Sequence, residues 1–273
     1  RRAGQRTNMA EAGMQNLAAS YVRQAYGVIA VEMQKLRHDP WELATRAIQP
    51  LLWLFLFGKV MAQVRGVSPE GLPYLDFLSA GILAQSVLFV AIFYGISAIW
   101  EPDLGVIQRY LVSPAPRSAI VIGKALSASV RALVQALIVY LLAASLGVGL
   151  RLEPLPALGV FAVILLGSAL FSTFSLIVAC IVKTRERFMG IGQVMTMPIF
   201  FASNAIYPVA MMPGWLQFVA RINPLTYQVD ALRGLMLADG SAQLGLPLDF
   251  AVLACTAALL VAVAARLYPR MGY

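Results

Sequence analysis

Six stretches of this chain are long and apolar enough to cross a lipid bilayer, and no other feature of the sequence constrains the fold as strongly. A spanning helix needs about 20 mostly apolar residues, because the hydrocarbon core is about 30 Å thick and an α-helix rises about 1.5 Å per residue. The stretches fall at about 44–63, 77–99, 126–150, 157–181, 189–210 and 247–267. Composition agrees. Of the 273 residues, 60% are hydrophobic and 12% charged, and the mean hydropathy is +0.75. A soluble domain is roughly 45–50% apolar and about 25% charged. There is too little polar surface to cover a water-soluble globule, so the bilayer must act as solvent, and the spans must be helices whose backbone groups are satisfied internally. The expected fold is an all-α integral membrane domain over residues 14–273, with six transmembrane helices. The basic segment 1–13 leads into no apolar core of the length a secretory signal has, and is expected to be flexible.

The first span has a clear start. Asp39-Pro40-Trp41-Glu42 places an N-cap acid, a proline at the first helical position and a second acid near the positive end of the helix. Before it, residues 16–37 are amphipathic. Val22, Tyr26, Ile29, Met33 and Leu36 form one apolar stripe at helical spacing, with Arg23, Lys35 and Arg37 off it. Such a helix fits either of two compatible places, packed on the protein's own cytoplasmic side or lying along the membrane interface.

Charge sets the orientation. With the N-terminus inside, 15 of the 21 Lys and Arg residues fall in inner segments and four (Arg65, Arg151, Arg221 and Arg233) in outer ones. The positive-inside rule therefore puts both termini in the cytoplasm, which an even number of spans requires. The net charge of +8 is thus explained by topology, and no nucleic-acid partner is expected. Arg131 lies within the third span near its inner end. Snorkelling toward the inner interface is favoured for it over contact with a substrate.

The chemistry that is missing narrows the function. None of the 13 acids lies deep in a span; Asp76, Glu101, Glu186 and Asp249 sit at the edges. Ion-coupled transporters usually keep a buried Asp, Glu or His as the coupling group. His38 is the one histidine, Cys180 and Cys255 sit in apolar runs, and no metal or disulfide framework is expected. No GxxxxGK[ST] phosphate loop exists, since Gly58-Lys59 and Gly123-Lys124 lack both the earlier glycine and the following Ser or Thr. No enzymatic activity is expected. The alternative to ion coupling is transport powered by a separate subunit, which needs a cytoplasmic element to push on. The loop between spans 2 and 3 offers one. Glu101-Pro102-Asp103 starts a short helix, Leu104, Ile107 and Leu111 give it an apolar face, Arg109 a polar point, and Ser113-Pro114 end it.

Three stretches resemble those of the ABC-2 type permeases, the family that includes daunorubicin-resistance, nodulation-factor and polysaccharide exporters. They are Leu104 to Pro114; Ile206-Tyr207-Pro208 with Met212-Pro213-Gly214-Trp215-Leu216; and Ile222-Asn223-Pro224-Leu225-Thr226-Tyr227 followed by Ala231-Leu232-Arg233. The last is the most specific, and the order of elements is similar from about residue 15 to 270. The resemblance implies an N-terminal interfacial helix, a coupling helix in the 2–3 loop and re-entrant outer helices before span 6. It implies two permease copies pairing above two ABC ATP-binding subunits, in a bacterial-type plasma membrane. ATP and Mg would be held by those subunits, with no cofactor in this chain. Coupling would fall to Glu101, Asp103, Leu104, Ile107, Arg109 and Leu111.

The residues themselves suggest where a substrate would pass. Gln85, Phe89 and Phe93 lie at i, i+4 and i+8 along one face of span 2, and Met197, Phe201 and Asn204 at i, i+4 and i+7 along one face of span 5. Faces rich in Phe and Met with a few amides suit an amphiphilic, drug-like or lipid-like substrate better than a long polysaccharide, although packing or lipid contact explains the same pattern. In the outer segment, Asn223-Pro224 is placed to cap a half-helix, Tyr227 suits an aromatic interface, and Arg221 and Arg233 are within reach of headgroups.

Overall fold

The computed structural model describes residues 40–64, 72–94, 117–182 and 184–267. Among these the regular elements are helices, joined by turns, with an isolated antiparallel bridge between Leu150 and Leu237. Helix α1 spans Pro40–Leu51, and starts where a proline's missing N–H costs nothing. Pro50, in its last turn, removes a donor. The chain then widens into a π-helical segment, Leu52–Gly58, before one α turn at Lys59–Met61. Helices α2 (Tyr74–Tyr94), α3 (Arg117–Ser145), α4 (Pro154–Val182) and α5 (Arg185–Phe201) follow. A 3₁₀ turn at Val209–Met211 and two short helices, α6 (Gly214–Ile222) and α7 (Pro224–Met236), lead to the last long helix, α8 (Leu246–Leu267).

Four of these helices are long and apolar enough to cross a membrane: α2, the Ala125–Ser145 part of α3, α4 and α8. They match the second, third, fourth and sixth expected spans, with shifted ends. The third helix begins nine residues before the expected 126, at Arg117, and stops at Ser145, because Gly147 turns the chain at φ 82°. The other two expected spans are shorter as regular helices. The apolar stretch of the first is Ala47–Met61. The fifth ends at Phe201 rather than near 210; it has 17 residues and Pro198 inside its last turn.

Helix α4 is the hub, packing on α2, α3, α7 and α8. Small residues let these helices approach closely. Ala128, Ala132, Ala136 and Ala143 form a buried stripe on α3, the usual device where lipid is as apolar as the side chains and close contact must supply the attraction. Hydroxyls add polar ties. Ser129 and Ser168 join α3 to α4 through their Oγ atoms at 2.6 Å, and the Ser175 hydroxyl donates to the Ile92 carbonyl, tying α4 to α2. Leu259 and Val263 of α8 and Leu137 and Leu141 of α3 face outward, which is the expected condition of a helix surface whose solvent is lipid.

Candidate functional site

Two regions gather the residues that the sequence singles out, and they lie at opposite ends of α2. The first surrounds the turn after α5. Once that helix stops, its last carbonyls need partners, and side chains from elsewhere in the chain supply them. The Asn223 side-chain amide donates to the carbonyls of Ile199 (2.6 Å) and Ala202 (3.2 Å). The Arg233 guanidinium donates to the Asn204 carbonyl at 2.9 Å, and the Tyr74 hydroxyl donates to the Ile206 carbonyl at 3.0 Å. Gly81 of α2 lies under the same turn; a Cβ there would sit 2.2 Å from the Ala205 oxygen, so only glycine fits. The Asn223-to-Arg233 motif therefore ties down the turn that leads into Ile206, and Tyr74 holds the Ile206 carbonyl itself.

Asn223 does cap α7, its Oδ1 accepting from the Leu225 N–H at 3.0 Å, with Pro224 at the first helical position. Tyr227 donates to the Arg221 carbonyl at 2.7 Å, closing the corner between α6 and α7. Arg221 is exposed. Arg233 is not placed to meet headgroups: it is 3% exposed, and its guanidinium lies 3.9 Å from the centre of the Phe77 ring. Burial pushes it down to about 10, and Asp230, one turn earlier, opposes that shift. It stays charged at neutral pH. Asp230 is also fully buried and accepts from the Leu244 N–H at 2.7 Å. Asp249, at the start of α8, is buried as well. Asp249 is thus at a helix edge, as its position in the sequence indicates, and Asp230 in the middle of the short helix α7, yet both are enclosed by protein.

The second region is a cavity of about 320 Å³ at the Tyr94 end, between α1, α2 and α3. Phe89 and Phe93 line it, their rings 6.0 Å apart. Gln85 does not; it is buried in the bundle interior. The polar lining comes from residues that spacing on one helix did not pick out: Gln49 of α1, Ser86 of α2 and Gln135 of α3. Ser86, Phe89 and Phe93 recur at i, i+3 and i+7, so a face drawn one residue over would have found them. Arg131 also lines the cavity. Its guanidinium lies 5.2 Å from the centre of the ring of Tyr94, the last residue of α2. A charge deep in a span costs roughly 2.5–3.5 kcal/mol on insertion scales, and such residues face cavities or partners rather than lipid.

The span 5 candidates are elsewhere. Met197 is half-buried, Phe201 is exposed, and Asn204 lies in the turn beyond α5, buried beside Arg233. From Phe77, next to that turn, to Phe93 is roughly 24 Å along α2. Phe89 and Phe93 thus line the cavity, and Asn204 belongs to the Arg233 unit. Interfacial residues Arg23, Lys35 and Arg37, and coupling residues Glu101, Asp103, Leu104, Ile107, Arg109 and Leu111, lie outside the described residues.

The putative transport permease ycf38 of Cyanophora paradoxa is 29% identical over 216 residues, covering 78% of this chain and 74% of that protein. The daunorubicin resistance ABC transporter permease protein DrrB1 of Streptomyces coeruleorubidus is 26% identical across 98% of this chain and 92% of its own length. Nodulation protein J of Rhizobium meliloti (strain 1021) is 31% identical over 199 residues, 72% of this chain and 74% of that protein. The profile of the ABC-2 type transporter family matches residues 23–237, a range that takes in α1 to α7 and both regions described above. The chain belongs to the ABC-2 type transporter family, as a multi-pass membrane permease component that works with ABC ATP-binding subunits.

Proposed function

We propose that this chain is the membrane-spanning subunit of an ATP-driven exporter whose substrate is an amphiphilic, drug-like or lipid-like molecule. Two copies pair above two ATP-binding subunits in a bacterial-type plasma membrane, with both termini in the cytoplasm. The observation that carries the substrate class is the cavity at the Tyr94 end, whose lining combines aromatic rings with amides, a hydroxyl and a guanidinium within an apolar bundle. A relative named for daunorubicin resistance supports an amphiphilic cargo over a long sugar polymer.

Helix α1, run on through its π segment from Pro40 to Met61, is roughly 30 Å long and serves as the first of six spans. Helix α5 serves as the fifth. Helices α6 and α7 are re-entrant or interfacial elements at the outer face. Glu101, Asp103 and Arg109 punctuate the cytoplasmic helix on which the ATPase pushes.

The test is uptake of lipophilic dyes into inverted vesicles that contain the chain and its ATP-binding subunit. Uptake should require ATP and persist when an uncoupler collapses the proton gradient. Uptake without ATP that an uncoupler abolishes would overturn the reading. ATPase stimulation by a polysaccharide alone would overturn the substrate class.

A further inference from the structure

We infer that the cavity between α1, α2 and α3 is a binding site for the anionic headgroup of an amphiphile, a phosphate or carboxylate held by Arg131 with the apolar tail left against Phe89 and Phe93. Four observations converge. The cavity holds about 320 Å³, the low end of the range for small-molecule sites, so it accepts a headgroup and part of a tail. Its lining divides by chemistry. Arg131 and Gln135 from α3, Ser86 from α2 and Gln49 from α1 supply polar groups, and the paired Phe89 and Phe93 rings supply an apolar wall. The lining carries the positive charge of Arg131. The guanidinium is also held in place against the Tyr94 ring, so it is oriented before a ligand arrives.

A guanidinium has five N–H donors in a planar fork that matches carboxylate and phosphate oxygens two at a time. It can keep an existing neighbour and still receive an anionic oxygen. Ser86 and Gln135, both nearly buried, add a hydroxyl and an amide within the same space. Arg131 lies about two turns past Ala125, where the apolar part of α3 begins. A headgroup bound there sits below the level of ordinary headgroups, as a substrate leaving its leaflet would. In the orientation proposed above, that leaflet is the cytoplasmic one. The fate of the bound molecule rests on the permease reading; the binding itself does not.

The experiment uses the full chain in phosphatidylcholine nanodiscs, without ATP. The probe is a phosphatidic acid with a photoreactive acyl chain, and the competitors are unlabelled phosphatidic acid, phosphatidylcholine and inorganic phosphate. Crosslinking should map to α2 and α3 and be displaced by phosphatidic acid at concentrations where phosphatidylcholine is inert. Arg131→Gln should weaken phosphatidic acid about tenfold, the loss expected for one charge-assisted contact, while Arg131→Lys keeps most of the affinity. Ser86→Leu, which narrows the cavity without touching the charge, should weaken binding too. It also keeps the test usable if Arg131→Gln does not fold. Equal displacement by phosphatidylcholine, or undiminished binding in Arg131→Gln and Ser86→Leu, would overturn the site. Inorganic phosphate competing as strongly as phosphatidic acid would overturn the amphiphile. If binding behaves as expected but ATP-driven uptake is absent, the exporter reading fails and the site stands.

Discussion

At the scale of single residues, Arg233 joins three separate parts of the structure. It satisfies the Asn204 carbonyl, lies on the Phe77 ring and faces the charge of Asp230. Removing one member of a buried charged set leaves the others unpaired, which typically costs about 3–5 kcal/mol. Arg233→Met should therefore destabilise the chain by about 3 kcal/mol, read as a lowered unfolding temperature in detergent. Adding Asp230→Asn should recover part of the loss, because the stranded charge is removed with it. An unchanged unfolding temperature in Arg233→Met would refute the assignment. The same variant should bind phosphatidic acid normally, which separates this unit from the cavity. The sequence exposed part of this arrangement. Asn-Pro at a helix start is a local signal, and Asn223 caps α7 as the pattern requires. Arg233 was not legible in the same way. Its hydrogen bond goes to the backbone carbonyl of Asn204, 29 residues away, and such a group leaves no residue-type pattern. The Arg131 contact is illegible for a related reason: its head lies against Tyr94, on another helix.

At the scale of elements, long apolar helices were legible because their length and hydropathy are read within one segment. Where α5 stops was not, because its end is fixed by Asn223, Arg233 and Tyr74, all distant in sequence. The π segment after Pro50 is also a backbone adjustment, with no pattern beyond the proline. Helix α6 was only partly legible, as a broken, semi-apolar segment. In the structure Trp215, Phe218 and Ile222, at i, i+3 and i+7, are 70%, 67% and 65% exposed, with Arg221 beside them. That is one apolar face with no protein on it, on a helix too short to span. An interfacial helix has this form, its apolar face buried about 5–10 Å into the headgroup boundary. A spin label at Phe218→Cys should therefore be reached by oxygen in the lipid more readily than by a water-soluble nickel reagent, with a depth near the headgroups. Water-like access, or a depth near the bilayer centre, would exclude an interfacial α6.

At the scale of the whole molecule, orientation connects the two ends of α2 to function. The Tyr74 end holds the Arg233 unit and α6; the Tyr94 end holds the cavity. The described helices fix which residues share an end but not which end faces the cytoplasm. The distribution of Lys and Arg argues for the Tyr94 end, since Arg117, Lys124, Arg185 and Arg187 all fall there. The cavity then opens toward the side where an ATP-binding subunit would sit, and α6 lies in the outer leaflet where a substrate would leave. Reversing the molecule would put four or more basic residues outside and detach the cavity from any cytoplasmic motor. Two single cysteines distinguish these cases, in a background where Cys180 and Cys255 are replaced by alanine. A cysteine at Ser241, an exposed position just after α7, should react with a membrane-impermeant maleimide in intact cells. A cysteine at Ser118, in the first turn of α3, should react only after the membrane is opened. The opposite result would invert the molecule, leaving the helix packing and the anion-binding proposal intact but removing the route from cytoplasmic leaflet to outer face on which export depends.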